Sequence, residues 1–324
     1  MTGYRAPAWL PGGHAQTIYP LLIKPDPLPY RRERWETADG DFIDLDWSDP
    51  PPAPGGPPVS PPLLILFHGL EGSSASHYAI SLMRACSSIG WSGVVVHFRG
   101  CSGEINRLPR AYHSGDSEEI DWILRRLQGL VPGRSCYAVG ISLGGNALLK
   151  WLGEREADAA TCLRAAAAVS APLDLSVSGH HLARGFNRVY TRHFLHTLKR
   201  KASEKLRLYP GLFDSRRMLA ASTLHAFDDL VTAPLHGFAD ADDYWRRASS
   251  KPWLAGIRLP TWVLNARNDP FLPEHALPAI SQAAACVQLE FPRQGGHVGF
   301  VAGSPPGRLD WLAQRILHYF QNEV

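Results

Sequence analysis

A serine set between two glycines is the residue of this chain best suited to chemistry. Residues Gly140–Gly144 have the spacing G-x-S-x-G with Ser142 at the centre, a short apolar stretch before it and a helix-prone stretch after it. A serine on such a sharp turn between strand and helix presents its Oγ at the carboxyl edge of a sheet. Glycine leaves space where a Cβ would clash with the turn or its packed neighbours. The pattern predicts a nucleophile for covalent catalysis.

A serine is a weak nucleophile until a base takes its proton and a carboxylate orients that base. Two later residues fit these roles, because Asp269 follows a predicted late strand and His297 lies in a glycine-rich loop after the last one. Taken alone, Asp269 is an ordinary turn residue and His297 an ordinary loop residue. Both fall at predicted strand ends in the order serine, acid, histidine. We therefore predict a triad of Ser142, Asp269 and His297.

Such a nucleophile also needs two backbone N–H groups that bind the negative charge on the carbonyl oxygen during the reaction. One is expected from Leu143, the residue after the serine. The other is expected from Leu70, in the loop after the first buried strand. His68 begins that loop, and we expect it to shape the loop rather than act as a base.

The composition sets broad limits on the class of protein. The 324 residues are 45% hydrophobic, enough for a sizeable core, and the net charge of +3 gives no argument for a nucleic-acid partner. The N terminus lacks a secretory signal pattern, and no apolar run approaches the roughly 18 residues needed to span a bilayer. No C-x-x-C pair occurs among the five cysteines, so reduced thiols in a cytoplasmic protein are expected. These cysteines are Cys86, Cys101, Cys136, Cys162 and Cys286.

Apolar strands and helices alternate along most of the chain. The predicted strands are Leu63–Phe67, Val94–Phe98, Ser135–Val139, Ala165–Ser170, Thr261–Asn265 and Val287–Phe291. The predicted helices are Ser76–Ile89, Ser117–Leu127, Asn146–Gly153, Glu274–Ala284 and Arg308–Phe320. Continuous apolar strands between helices indicate an α/β fold with a mostly parallel sheet covered on both faces.

The segments outside this alternation have patterns of their own. Residues 1–30 are rich in proline and aromatic residues and are expected to form an extended arm. Tyr30–Trp47 is predicted to be a β-hairpin, and Pro50–Pro62 a mobile, exposed loop. The alternation stops near Pro172, and apolar residues then recur at helical spacing. We predict a helical cap insert at 173–250 between two parts of the core, 1–172 and 251–324.

The cap insert carries a run of basic residues. Eight cations lie close in sequence: Arg184, Arg188, Arg192, Lys199, Arg200, Lys201, Lys205 and Arg207. A solvated helical face is the commoner explanation of such a run. The alternative is a cap that makes peripheral contact with anionic lipid headgroups, with the interleaved aromatic residues facing an acyl pocket.

Other polar groups are assigned structural roles. His180 and His181 are adjacent, and adjacent side chains rarely converge on one metal ion without further ligands. Asp116 or Ser117 is expected to cap the helix that follows. Acidic clusters in the insert are expected to be solvated or to lie at helix ends. These are Asp228, Asp229, Asp240, Asp242 and Asp243. The predicted chemistry requires no metal and no cofactor.

Several stretches together resemble the α/β-hydrolase superfamily and, within it, the YheT-like esterases, which are related to the abhydrolase-domain lipases of animals. The matching stretches are Leu10–Thr17, His68–Ser73, Arg99–Glu104, Tyr112–Gly115, Gly140–Gly145, Thr232–Phe238, Asn268–Phe271 and Gly295–Phe300. They span nearly the whole chain. The resemblance implies a triad of Ser142, Asp269 and His297, and hydrolysis of acyl or lipid-like carboxylic esters.

The sequence thus predicts a serine hydrolase that acts on a small-molecule ester through an acyl-enzyme intermediate. Two alternatives stay open. The same triad can transfer the acyl group to an acceptor other than water. The fold can also serve as a catalytically silent binding module, because a fold alone does not determine function.

Overall fold

The computed structural model of the protein describes residues 3–23, 25–49 and 61–324. Its described strands form one sheet: β1 (Arg31–Glu36), β2 (Phe42–Ser48), β3 (Leu63–Phe67), β4 (Ser92–Val96), β5 (Cys136–Ile141), β6 (Ala165–Val169), β7 (Thr261–Leu264) and β8 (Val287–Glu290). The spatial order is β1-β2-β4-β3-β5-β6-β7-β8. Strands β1 and β2 form an antiparallel hairpin, β2 pairs antiparallel with β4, and all other pairs are parallel. The predicted hairpin and mostly parallel sheet are confirmed.

Helices cover the sheet and fill the segment between β6 and β7. They are α1 (Gly13–Ile18), α2 (His77–Ser88), α3 (Ser117–Leu130), α4 (Leu143–Arg155), α5 (Leu175–Leu182), α6 (Arg188–Leu208), α7 (Ser215–Ala220), α8 (Leu224–Phe227), α9 (Ala233–Leu235), α10 (Ala241–Ala248) and α11 (Asp310–Asn322). A π-helical turn at Asp228–Thr232 joins α8 to α9. The helical content predicted for 173–250 is confirmed, and the division into core and cap stays a prediction.

Alternating side chains of the central strands build an apolar layer on each face of the sheet. In β3, Leu63, Ile65 and Phe67 pack in the layer that also contains residues of α3 and α4. Leu64 and Leu66 pack in the opposite layer with residues of α2 and α11. Because helices cover both faces of the sheet, a site is expected in the loops at its carboxyl edge.

The N-terminal segment differs from the extended arm expected for it. Gly13–Ile18 forms α1, and Tyr19–Leu22 continues it as a 3₁₀ turn. Side-chain hydrogen bonds support this helix, because Gln16 Nε2 donates to the Leu10 carbonyl at 2.9 Å and Thr17 Oγ1 donates to the Gly13 carbonyl at 2.7 Å. The proline-rich composition concealed a short helix that becomes important at the site.

The helix predicted over Glu274–Ala284 is wrong. Two separate 3₁₀ turns, Glu274–Ala276 and Ile280–Gln282, stand in its place. Pro278 explains the break, because proline lacks an N–H and pushes the preceding residue out of the helical region. Leu277 accordingly has an extended backbone with φ −61° and ψ 144°. The predicted loop at Pro50–Pro62 lies outside the described residues except for its last two positions.

Candidate active site

Ser142 occupies the sharp turn between β5 and α4. Its backbone has φ 51° and ψ −117°, a strained conformation for a residue with a side chain. A Cβ on Gly140 would lie 2.5 Å from the Gly144 carbonyl oxygen, and a Cβ on Gly144 would lie 2.4 Å from the Phe67 oxygen. Helix α4 begins at Leu143, three residues before the predicted start at Asn146. Its first turn packs directly against the end of β3.

The three predicted triad residues converge in space. His297 Nε2 lies 2.9 Å from Ser142 Oγ, and His297 Nδ1 lies 2.9 Å and 3.2 Å from the two carboxylate oxygens of Asp269. The Asp269 side chain is fully buried and that of His297 is 9% exposed. Because the carboxylate can only accept, Nδ1 carries the proton, and Nε2 is left to accept the proton of the serine hydroxyl.

Phe271 fixes the two groups behind the serine. Its backbone N–H donates to Asp269 Oδ1 at 2.8 Å, which sets the plane of the carboxylate. Its ring stacks on the imidazole of His297 with centroids 3.9 Å apart and planes inclined by 21°. The imidazole is therefore held on one face by packing and on one edge by hydrogen bonds.

Helix α1 braces the loops that carry Asp269 and His297. Gln16 is completely buried, and its Oε1 accepts hydrogen bonds from Asn268 Nδ2 at 3.0 Å and from the Gly295 N–H at 2.9 Å. Thr17 Oγ1 accepts a hydrogen bond from the His297 N–H at 2.9 Å. No site role was predicted for Gln16 or Thr17 from the sequence. Both residues belong to Leu10–Thr17, one of the stretches that resemble the α/β-hydrolase superfamily, and this resemblance was the signal that could have pointed to them.

Two further polar side chains complete this brace. Asn268 Oδ1 accepts a hydrogen bond from the Gly296 N–H at 3.1 Å, which joins the acid loop directly to the histidine loop. Ser170 Oγ, at the end of β6, accepts a hydrogen bond from the Val298 N–H at 3.0 Å. The loop around His297 is thus tied to three different parts of the chain.

Both residues predicted to supply oxyanion donors line the cavity at the serine. Leu143 is the first residue of α4, so its N–H has no acceptor within the helix. The loop with Leu70 closes against the serine, because a Cβ on Gly69 would lie 3.2 Å from the Ser142 Cβ. Leu70, Ser142 and Leu143 line the same cavity. The N–H groups of Leu70 and Leu143 stay the predicted donors to an oxygen bound next to the serine.

His68 is built into the structure below this loop. It is fully buried, and its Nε2 accepts a hydrogen bond from the Phe98 N–H at 3.1 Å. Nδ1 therefore carries the proton and donates to the Gly69 carbonyl at 2.7 Å. Burial lowers the pKa of His68 to about 3, so the ring stays neutral. These contacts agree with the loop-shaping role expected from the sequence.

A cavity of about 120 Å³ opens above Ser142 and His297. Its wall is mainly apolar, and α5, α6, α8 and α10 contribute many of the lining residues. Leu175, Leu182, Phe194, Leu198, Leu224, Phe227 and Trp245 are among the lining residues. Such a wall suits an apolar group bonded to the atom that the serine attacks.

Asp228 is a half-buried carboxylate in this apolar wall, within the π-helical turn. Its oxygens accept hydrogen bonds from Thr232 Oγ1 at 2.6 Å and from Trp245 Nε1 at 2.8 Å. Burial raises the pKa of Asp228 to about 6. This residue differs from the solvated or helix-terminal role expected for the acidic clusters, whereas Asp240 fits that role, since its side chain caps α10 by accepting from the Asp243 N–H.

Asp228→Asn should change how thermal stability depends on pH. A carboxyl group with a raised pKa stabilises the fold below its ordinary pKa and loses that contribution as the pH rises through about 6. Asparagine stays neutral, accepts from Trp245 and donates to Thr232. The melting temperature of the variant relative to the parent should therefore be higher at pH 7.5 than at pH 4. A difference that is the same at both pH values would contradict this role of the Asp228 charge.

Three other polar residues singled out in the sequence have structural partners. Asp116 caps α3 by accepting from the Glu119 N–H, as expected. Two cations of the basic run point inward rather than to solvent, because Lys205 is buried and Lys201 forms an ion pair with Glu71. Over the described ranges there is no cluster of three or more potential metal ligands, and no helix is long and apolar enough to cross a membrane.

Comparison with known proteins agrees with this architecture. A family model described as the alpha/beta hydrolase fold matches residues 62–304. The chain is 42% identical over 307 residues to “Putative esterase YheT” of Escherichia coli (strain K12), which covers 94% of this chain and 88% of that protein. It is 30% identical over 325 residues to “Phospholipase ABHD3” of Mus musculus, which covers 99% of this chain and 79% of that protein.

A solved structure shares the fold at low sequence identity. Est1E from Butyrivibrio proteoclasticus, with ferulic acid bound, superposes with a TM-score of 0.56 at 15% identity, over 90% of this chain and 98% of that one. Four observations lead to the same family: the sheet order, the turn at Ser142, the matched family model and the 42% identity to YheT. The chain belongs to the α/β-hydrolase family.

Proposed function

We propose that the protein hydrolyses carboxylic esters through an acyl-enzyme intermediate on Ser142. One observation carries the proposal, namely the continuous hydrogen-bonded chain from Ser142 Oγ through His297 to the buried carboxylate of Asp269. This geometry is that of an activated serine nucleophile. The relatives named as an esterase and a phospholipase support the same class of reaction.

Each residue has a defined part in the proposed reaction. Ser142 Oγ bonds to the ester carbonyl carbon while its proton passes to His297 Nε2, and the Asp269 carboxylate stabilises the imidazolium. The carbonyl oxygen becomes an oxyanion that accepts hydrogen bonds from the N–H groups of Leu70 and Leu143. The bond to the alcohol then breaks as His297 returns the proton to the leaving oxygen.

The second half releases the acid. Water attacks the acyl group on Ser142 while His297 Nε2 takes its proton. The bond to Ser142 Oγ breaks, the serine regains the proton from His297, and the carboxylic acid leaves. The reaction as proposed needs no metal and no cofactor, because the imidazole moves every proton and the backbone binds the charge.

The apolar wall above Ser142 supports an acyl or lipid-like substrate. Each buried methylene contributes about 0.8 kcal/mol of favourable transfer free energy, so lengthening the acyl chain should increase kcat/KM until the cavity is full. A series of p-nitrophenyl esters from acetate upward should show a rise followed by a plateau or fall. A series in which acetate is the best substrate would contradict binding of the acyl chain in this cavity.

The identity of the product separates hydrolysis from acyl transfer. In water containing a moderate concentration of added alcohol, chromatography should find mainly the free carboxylic acid. Predominant formation of the new ester would instead assign the protein as an acyltransferase with the same triad. No turnover of any ester would favour the catalytically silent binding module.

A further inference from the structure

An ion pair joins α6 to the loop that follows β3. Lys201 Nζ lies 2.8 Å from Glu71 Oε1, and the two side chains are only 20% and 9% exposed. Lys201 belongs to the segment predicted to form the cap. Glu71 directly follows Leu70, whose N–H is a proposed oxyanion donor. A helix above the substrate cavity is therefore bound to the peptide next to this donor.

The backbone of Glu71 requires such support. Its φ is 55°, in the left-handed region that residues other than glycine rarely adopt. Tyr112 holds it from one side, because the Glu71 N–H donates to Tyr112 Oη at 2.9 Å and the Tyr112 hydroxyl donates to Glu71 Oε1 at 2.7 Å. Lys201 donates to the same carboxylate oxygen from the other side. A strained conformation persists only where its surroundings hold it in this way.

The tyrosine that shares this carboxylate is itself fixed by packing. Tyr112 is 8% exposed, and its ring stacks on Phe98 with centroids 5.3 Å apart and planes inclined by 7°. Phe98 in turn makes an edge contact with the ring of His68, at 4.8 Å. Of the three residues that meet at this carboxylate, Lys201 comes from α6, whereas Glu71 and Tyr112 belong to the sheet side of the cavity.

We propose that Lys201 is a positioning residue that couples the place of α6 to the geometry of the oxyanion donor at Leu70. It acts through Glu71 and does not touch the reacting atoms. The inference rests on the proposed function. A substrate that holds α6 in its proper position therefore also positions the oxyanion donor at Leu70. Contact with the cap segment and catalytic competence are thus linked.

Lys201→Met removes the cation and keeps most of the side chain's apolar volume. Loss of a complete oxyanion donor costs about 10²–10³ in kcat, so loosening one should lower kcat about tenfold, with KM changed less than about twofold. A trifluoromethyl ketone, whose adduct on a serine carries an oxyanion, should bind about tenfold more weakly. Arg200→Met on the same helix is the matched control, because Arg200 is exposed, and it should leave both values unchanged.

Glu71→Gln tests whether the lysine acts through this carboxylate. Glutamine keeps an acceptor for Tyr112 and removes the charge. In the Lys201→Met background it should cause no further loss of kcat and should raise the melting temperature, because it removes a buried charge left without its cation. If Lys201→Met does not fold, Glu71→Gln alone should still lower kcat and weaken the ketone.

The possible results separate this inference from the function on which it rests. If Lys201→Met matches Arg200→Met in kcat and in ketone binding, or if the losses from Lys201→Met and Glu71→Gln multiply, the coupling is overturned while ester hydrolysis stands. If the unsubstituted protein neither hydrolyses esters nor binds the ketone, the proposed function itself fails.

Discussion

Replacing Ser142 by alanine should lower kcat for p-nitrophenyl esters by about 10⁴–10⁶-fold, with little change in melting temperature. In the proposed mechanism, the substitution removes the atom that forms the acyl-enzyme, while the proposed oxyanion donors and the cavity remain and supply a small residual rate. Initial rates at saturating ester and a thermal melt on the same preparation measure the two quantities. Ser203→Ala is a suitable control, because Ser203 Oγ donates to the Lys199 carbonyl within α6 and does not line the cavity at Ser142.

Retention of more than about a tenth of kcat by Ser142→Ala would contradict the proposed mechanism, because loss of a triad nucleophile leaves far less activity than that. An equal loss in Ser203→Ala would point to general disturbance of the fold instead. The comparison therefore assigns the effect to the hydroxyl of Ser142.

Asp269→Asn should lower kcat by about 10⁴-fold while the geometry is preserved. Asparagine Oδ1 can keep the hydrogen bond from the Phe271 N–H, which places the amide Nδ2 toward His297. Because that amide donates, His297 Nδ1 must then accept, and the proton moves to Nε2. With Nε2 protonated, the imidazole cannot accept the proton of Ser142.

The change in the tautomer of His297 can be tested by a second measurement. The rate of labelling by a fluorophosphonate should fall with kcat, since both need the activated hydroxyl of Ser142, whereas KM should change little. A variant with normal labelling would show that Asp269 does not control the state of His297. A variant that melts well below the parent would show that its buried carboxylate serves mainly the fold.

The convergence of Ser142, Asp269 and His297 could be predicted because its signals are local or ordered along the chain. Glycines at both ends of Gly140–Gly144 indicate a turn that has no room for a Cβ. In the structure, a Cβ on Gly140 or on Gly144 would clash with neighbouring backbone atoms. Alternating strands and helices place each loop after a strand at one sheet edge. Asp269 and His297 could therefore be placed near Ser142 without any knowledge of distances.

The brace around the triad could not be predicted in the same way. Gln16 bonds to the backbone of Gly295 across 279 positions of the chain, and no local periodicity contains such a contact. A glutamine in a proline-rich segment gives no hint that it will be completely buried. Its partners become known only when α1 is seated on the ends of the strands.

Two other differences show where local patterns mislead. Glu274–Ala284 has helix-prone residues, but Pro278 outweighs them, and this signal was present in the sequence. The basic run of the cap insert has the composition of a solvated face, yet Lys201 and Lys205 turn toward the protein. Long side chains are directed by tertiary partners, such as Glu71, that lie far away in sequence.

The most direct measurement is the position of a covalent adduct. After reaction with a fluorophosphonate, peptide mapping by mass spectrometry should find one adduct, on the peptide that contains Ser142, and none in Ser142→Ala. An adduct on a different residue, or no adduct on a folded protein that still cleaves esters, would contradict the assignment of Ser142 as the nucleophile.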